Sequence, residues 1–122
     1  MRFDACERAD AKIYRTLVKE HSRTSHCTER ENRLKYARGH SCVAAFYVER
    51  GHRDGPEIHC ITDNGCIVIF NRNTHRLITV LIARPGQIDR YLEQSGTSLD
   101  NRMYSHLIDI AISHQRRHLN HI

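Results

Sequence analysis

Residues 57–83 read EIHCITDNGCIVIFNRNTHRLITVLIA, and this stretch decides the fold. Three apolar runs, EIHCIT, CIVIF and LITVLIA, are separated by two polar turns. Each run is short and rich in Ile and Val, the composition of a strand rather than of a helix. Between the first two runs, Asn64-Gly65 is the signal of a two-residue hairpin turn. The second turn is NRNTHR, residues 71–76. Working outward, CVAAFYV supplies a further strand, separated from the others by the loop ERGHRDGP. Strands at 41–48, 57–62, 66–70 and 77–83 then make a four-stranded antiparallel meander. Arg84-Pro85-Gly86 stops the last of them.

The flanks change period. From Asp4 to His21 the apolar residues Cys6, Ala9, Ile13 and Leu17 recur at helical spacing, with Asp4 as a cap. A second helix follows within HSRTSHCTERENRLKYARGH and ends at Gly39. Its start is open: Thr28-x-x-Glu31 has the form of a capping box, and Thr24 or Ser25 would cap a turn earlier. Beyond the sheet, QIDRYLEQ reads as a short helix and SGTSLD as a linker. Asp100 then caps a helix with Met103, Leu107 and Ala111 on its apolar face, and the polar tail from Ser113 frays. The expected fold class is α+β: N-terminal helices packed on a four-stranded antiparallel meander sheet, closed by C-terminal helices. At 122 residues this is one domain, 1–122, with its core at about 22–86 and a C-terminal helical extension at 87–118.

Nineteen Lys and Arg face fourteen Asp and Glu, a formal charge of +5, which favours a polyanionic partner. Sixteen of the nineteen are Arg, whose planar fork suits phosphate. The five cysteines include no C-x-x-C pair, and the charged N-terminus lacks the apolar core of a secretory leader. No apolar run approaches the roughly 20 residues of a membrane span. The expectation is a cytoplasmic protein with free thiols and no membrane span, with nucleic acid as its first partner and an acidic membrane surface second.

The stretch SHCTERENR, residues 25–33, carries the most specific chemistry. On a helix, His26, Arg30 and Arg33 share one face. A histidine can exchange a proton near neutral pH, and fixed arginine charge can stabilise a pentacoordinate phosphorus. Together they suit RNA cleavage by the ribose 2′-OH without a metal. The same spacing also describes a solvated basic helix face with pairs such as Glu29–Arg33.

HCTERENR resembles the H-x-x-x-R-x-x-R helix of small bacterial and phage domains related to BrnT-type toxins and RelE-type mRNA interferases. These belong to the barnase–colicin–RelE ribonuclease fold. GCIVIFNRNTHRLITVLIARPGQ resembles the paired final strands of such domains, and the two stretches together span about residues 22–86. The resemblance implies a toxin-like, metal-independent endoribonuclease, with His26, Arg30, Arg33 and Thr79 as catalytic residues. It also implies a possible protein antitoxin as partner. The alternative is a non-catalytic RNA-binding or protein-binding module of the same fold, with the C-terminal helix covering the sheet or mediating a homodimer. Arg72, His75, Arg76 and Arg84 are the expected nucleic-acid contacts, from a polar turn and a strand end.

Two sets of metal-ligating types stand apart. His26-Cys27, His40-x-Cys42, His59-Cys60 and Cys66 lack the paired spacing of a zinc site, so no cofactor is expected. In the tail, His114 and His118 lie one helical turn apart with His121 beyond, which would suit a metal or added phosphate contacts.

Overall fold

The apolar runs do form strands, and the order of strands and helices is where the chain departs from expectation. The computed structural model describes residues 3–5, 40–49 and 55–120. Five strands run β1 (Phe3–Ala5), β2 (Cys42–Val48), β3 (Glu57–Thr62), β4 (Cys66–Asn71) and β5 (Leu77–Ile82). Two helices follow, α1 (Pro85–Ser95) and α2 (Asn101–Asn120). The strands pair antiparallel in chain order.

The expectation of N-terminal helices on the sheet is corrected. Asp4, read as a helix cap, lies in β1 opposite Tyr47. The short strand completes the hydrogen bonds that the edge of β2 would otherwise leave to water, and at Asp4 this long-range pairing overrides the local cap signal. The sheet therefore has five strands rather than four, and both described helices come after it in the chain. The remainder of the two expected N-terminal helices, residues 6–39, lies outside the described residues.

Every residue of β3, and all but the last of β4, is buried. One face carries Phe46, Val48, Ile61, Ile67 and Ile69, covered by Ile88 and Tyr91 of α1 and Leu107 and Ala111 of α2. The opposite face carries Ala45, Ile58, Cys60, Val68, Phe70 and Val80. A strand buried on both sides has no need of polar alternation, which explains the run CIVIF. Two bulges re-aim side chains. One, at Val43 in β2, turns Cys42 onto the face of Cys60. The other, at Ile78 in β5, leaves Thr79 opposite Ile69 while Leu77 pairs with Phe70. Thr79 thus shares a face with Leu81 and Ala83, and Leu77 points to the other side.

The β3–β4 connection has three residues, Asp63 to Gly65, one more than the Asn-Gly signal suggested. Gly65 N–H donates to the Thr62 carbonyl at 3.1 Å, and Gly65 takes φ +82°, the left-handed position of a three-residue hairpin loop. A Cβ at Gly65 would also meet Ile110 Cγ2 of α2 at 2.8 Å, so the turn is held against the helix by its lack of a side chain. Pro85, read as a strand stop, is the first residue of α1, where its missing N–H costs nothing. Gly96, at φ +68°, ends that helix. The Asp100 carboxylate accepts the Met103 N–H at 2.8 Å and starts α2, which continues through Asn120.

Tyr104 of α2 donates its hydroxyl to Asp89 of α1 at 2.5 Å. That bond, with burial and the nearby charges of Asp89 and Glu93, pushes the hydroxyl above the usual tyrosine value. The folded state therefore holds this proton more tightly than the unfolded chain does. The bond contributes fully below about pH 10 and is lost as pH rises through the raised value. Tyr104→Phe is expected to unfold at lower denaturant than the parent at neutral pH, with the gap closing above about pH 10; a gap that is independent of pH would contradict this. Gly65→Ala is expected to cost about 1–3 kcal/mol in urea unfolding, from the φ strain and the Ile110 clash together.

Candidate functional site

Two polar arrangements stand out against the apolar sheet, one sealed and one open. The sealed one begins with a histidine in a run of isoleucines. His59 is 1% exposed, and β3 presents it to the face that α1 covers. Its Nε2 donates to Glu57 Oε1 at 2.9 Å, two residues along the same strand face. With that nitrogen carrying the proton, Nδ1 accepts from the Tyr91 hydroxyl of α1. Glu57 is 6% exposed and Tyr91 5%. The Tyr91 ring also lies 5.0 Å from that of Phe46, tilted by 33°. Burying a carboxylate and an imidazole is costly unless each finds partners, and these residues supply them to one another. The chain Tyr91–His59–Glu57 has the residue types of an acid–base relay, but it lies inside the α1–sheet interface.

The open arrangement lies where β5 hands over to α1. A cleft of about 500 Å³ is floored by Leu81, Ala83 and Ala111 and edged by Arg84, Gln87, His114 and Gln115. β5 ends beneath it, α1 begins at one side, and the second half of α2 forms the other. Arg84 is the exposed residue that precedes α1, with extended backbone at φ −95°, ψ 153°. Gln87 Oε1 accepts the Arg84 N–H at 2.9 Å, which fixes the start of the helix and leaves the amide NH₂ as a donor. Among the described residues no carboxylate lines the cleft. Its polar edge is thus one guanidinium, one imidazole and two primary amides, a set rich in donors that suits an anion.

The sequence-predicted residues divide. Arg84 borders the cleft. Thr79 is half-buried two residues before Leu81 on the same sheet face, just along the strand from the cleft floor. Arg72, His75 and Arg76 lie in the β4–β5 turn at the other end of β5. Six residues of strand separate them from Arg84, roughly 20 Å at the usual rise. The four expected nucleic-acid contacts therefore do not form one patch. The turn has its own order: Asn71 Oδ1 accepts the N–H groups of Asn73 and Thr74, each at 2.9 Å, and His75 sits at φ 57°. Arg72 N–H donates to the Pro56 carbonyl at 2.8 Å, and its guanidinium lies 3.8 Å from the centre of the Tyr47 ring. His26, Arg30 and Arg33 lie outside the described residues.

Gln87 and Gln115 were not expected at a site, and His114 was named only within the tail as a metal or phosphate contact. The sequence signal for His114 was read as part of a fraying tail, whereas α2 carries it against the end of β5. Of the metal-ligating types, His40 pairs with Asp63 at 2.7 Å, Cys42 turns to Cys60, and His59 faces Tyr91 on the opposite side of the sheet. Among the described residues, no group of three such side chains could hold a metal ion. No described helix is long and apolar enough to cross a membrane. No family model, curated protein or solved structure matches the chain.

Tyr91→Phe removes the hydroxyl donor to His59 in a site closed to water. The expected loss is about 1–3 kcal/mol of stability in urea unfolding. A loss within about 0.5 kcal/mol would show that the relay is not a structural tie.

Proposed function

We propose that the chain binds RNA by holding a backbone phosphate in the cleft between β5, α1 and α2. The observation that carries this reading is the convergence of Arg84, Gln87, His114 and Gln115 on one open cleft whose lining includes no carboxylate among the described residues. A phosphodiester offers two charged oxygens. The Arg84 fork matches them, and the amides and the imidazole add donors around them. The +5 charge of the chain favours a polyanionic partner. The resemblance to the barnase–colicin–RelE fold favours RNA over DNA. Side-chain amides beside the phosphate are also the groups that can bond a ribose 2′-OH. A reducing cytosol suits Cys42, Cys60 and Cys66, which among the described residues are thiols outside any disulfide.

The stronger form of the proposal is a toxin-like, metal-independent endoribonuclease. A base takes the 2′-OH proton, the 2′-oxygen attacks phosphorus, and the bond to the 5′-oxygen breaks. That oxygen takes up a proton, and a 2′,3′-cyclic phosphate remains. The cleft offers His114 for proton transfer and Arg84 for the charge on the phosphoryl oxygens. By the family resemblance, the motif at His26, Arg30 and Arg33 would add a second proton carrier and two further charges, and Thr79 a hydroxyl.

Binding of a fluorescent single-stranded RNA, measured over a range of salt, tests the first form. Arg84→Ala is expected to weaken affinity about 5–10-fold and to reduce the salt slope by about one phosphate contact. An unchanged affinity and slope would remove the cleft from the interface. For the second form, the products of RNA incubated with protein in EDTA are expected to end in a cyclic phosphate, with cleavage lost in His114→Ala or His26→Ala. Tight binding without any cleavage would leave the binding module and discard the enzyme.

A further inference from the structure

We propose that Cys42 and Cys60 form a dithiol that peroxide oxidises to a disulfide across β2 and β3. The argument starts from register. Cys60 lies opposite Ala45, and regular alternation from Ala45 back along β2 would put Cys42 on the other face of the sheet. The bulge at Val43 adds one residue and brings Cys42 round to the face of Cys60. There the two sulfurs meet at hydrogen-bond range. Cys42 also donates to the Ala44 carbonyl, within the bulge itself, at 3.3 Å. Cys42 is half-buried and Cys60 is 1% exposed, so the pair has one member within reach of a small oxidant and one shielded behind it. Cys66 shares the face but lies on β4, where it pairs with Ile82.

The Cys60 thiol donates to the Cys42 sulfur and lowers its pKa, and burial opposes the shift. The thiolate of Cys42 attacks one oxygen of hydrogen peroxide. A sulfur–oxygen bond forms, the O–O bond breaks, and hydroxide leaves to take up a proton as water. Cys60 sulfur then attacks the Cys42 sulfenic sulfur while its proton passes to the departing oxygen. The S–S bond forms, the S–O bond breaks, and a second water leaves. Two thiols lose two electrons, and one peroxide becomes two waters.

The test uses the full folded chain treated with hydrogen peroxide, quenched, unfolded and alkylated without reductant. Peptides are mapped by mass, with cleavage before Asp63 to separate Cys60 from Cys66. The expected result is loss of the alkylatable thiols at Cys42 and Cys60 together, a linked peptide pair, and full recovery with dithiothreitol. Cys66→Ser is expected to leave the link unchanged. Cys60→Ala, checked for native circular dichroism, is expected to stop Cys42 at sulfenic or sulfinic acid. Thiols that remain fully alkylatable in the parent protein, or a link from Cys42 to Cys6, Cys27 or Cys66, would overturn the proposal.

Discussion

The fold turns on a polar contact within an apolar interface. α1 is the first of the described helices laid on the sheet, and its Tyr91 hydroxyl meets His59, which is held in turn by Glu57. Apolar packing alone would let the helix slide, since Ile and Val surfaces are tolerant of small shifts. A buried imidazole is not tolerant: its two nitrogens need partners at fixed positions. The helix is therefore registered on the sheet at Tyr91 and tied at its start by Gln87 and Arg84. Tyr104 and Asp89 then carry that register from α1 to α2. The cleft is the space these ties leave between the two helices and the end of β5.

Small irregularities of backbone do much of the positioning. One extra residue in β2 brings Cys42 to Cys60, and one in β5 turns Leu77 away from the face of Thr79 and Leu81. Gly65 allows α2 to approach the β3–β4 turn, where the Asp63 carbonyl also accepts from His106 at 2.9 Å. With α2 seated there, Ala111, His114 and Gln115 come to rest beside Arg84.

The meander was legible because its signals are local. Ile-rich runs, a polar turn at Asn71–Arg76 and an Asn-Gly corner need no long-range information, and the strands lie within a residue or so of their expected ends. The helix from Asp100 was legible from its cap for the same reason. The position of Asp4 was not, because β1 exists only through its pairing with β2, more than forty residues away. Of the candidate site, the sequence pointed to Arg84 and, as part of the tail, to His114, but not to their meeting. His114 and Gln115 meet it through tertiary packing of α2, and nothing in the order of residues near the C-terminus announces that contact. The relay was hidden for a related reason: His59 and Glu57 look like ordinary polar residues of a strand until α1 brings Tyr91 over them.

The central claim is that the cleft, rather than the β4–β5 turn, receives a phosphate of RNA. Amide chemical shifts of labelled protein, followed during titration with a short single-stranded RNA, test it most directly. The account predicts perturbations concentrated at Arg84, Gly86 and Gln87 and at His114 and Gln115, saturating together. Perturbations centred on Arg72 to Arg76, with the cleft residues unmoved, would contradict it.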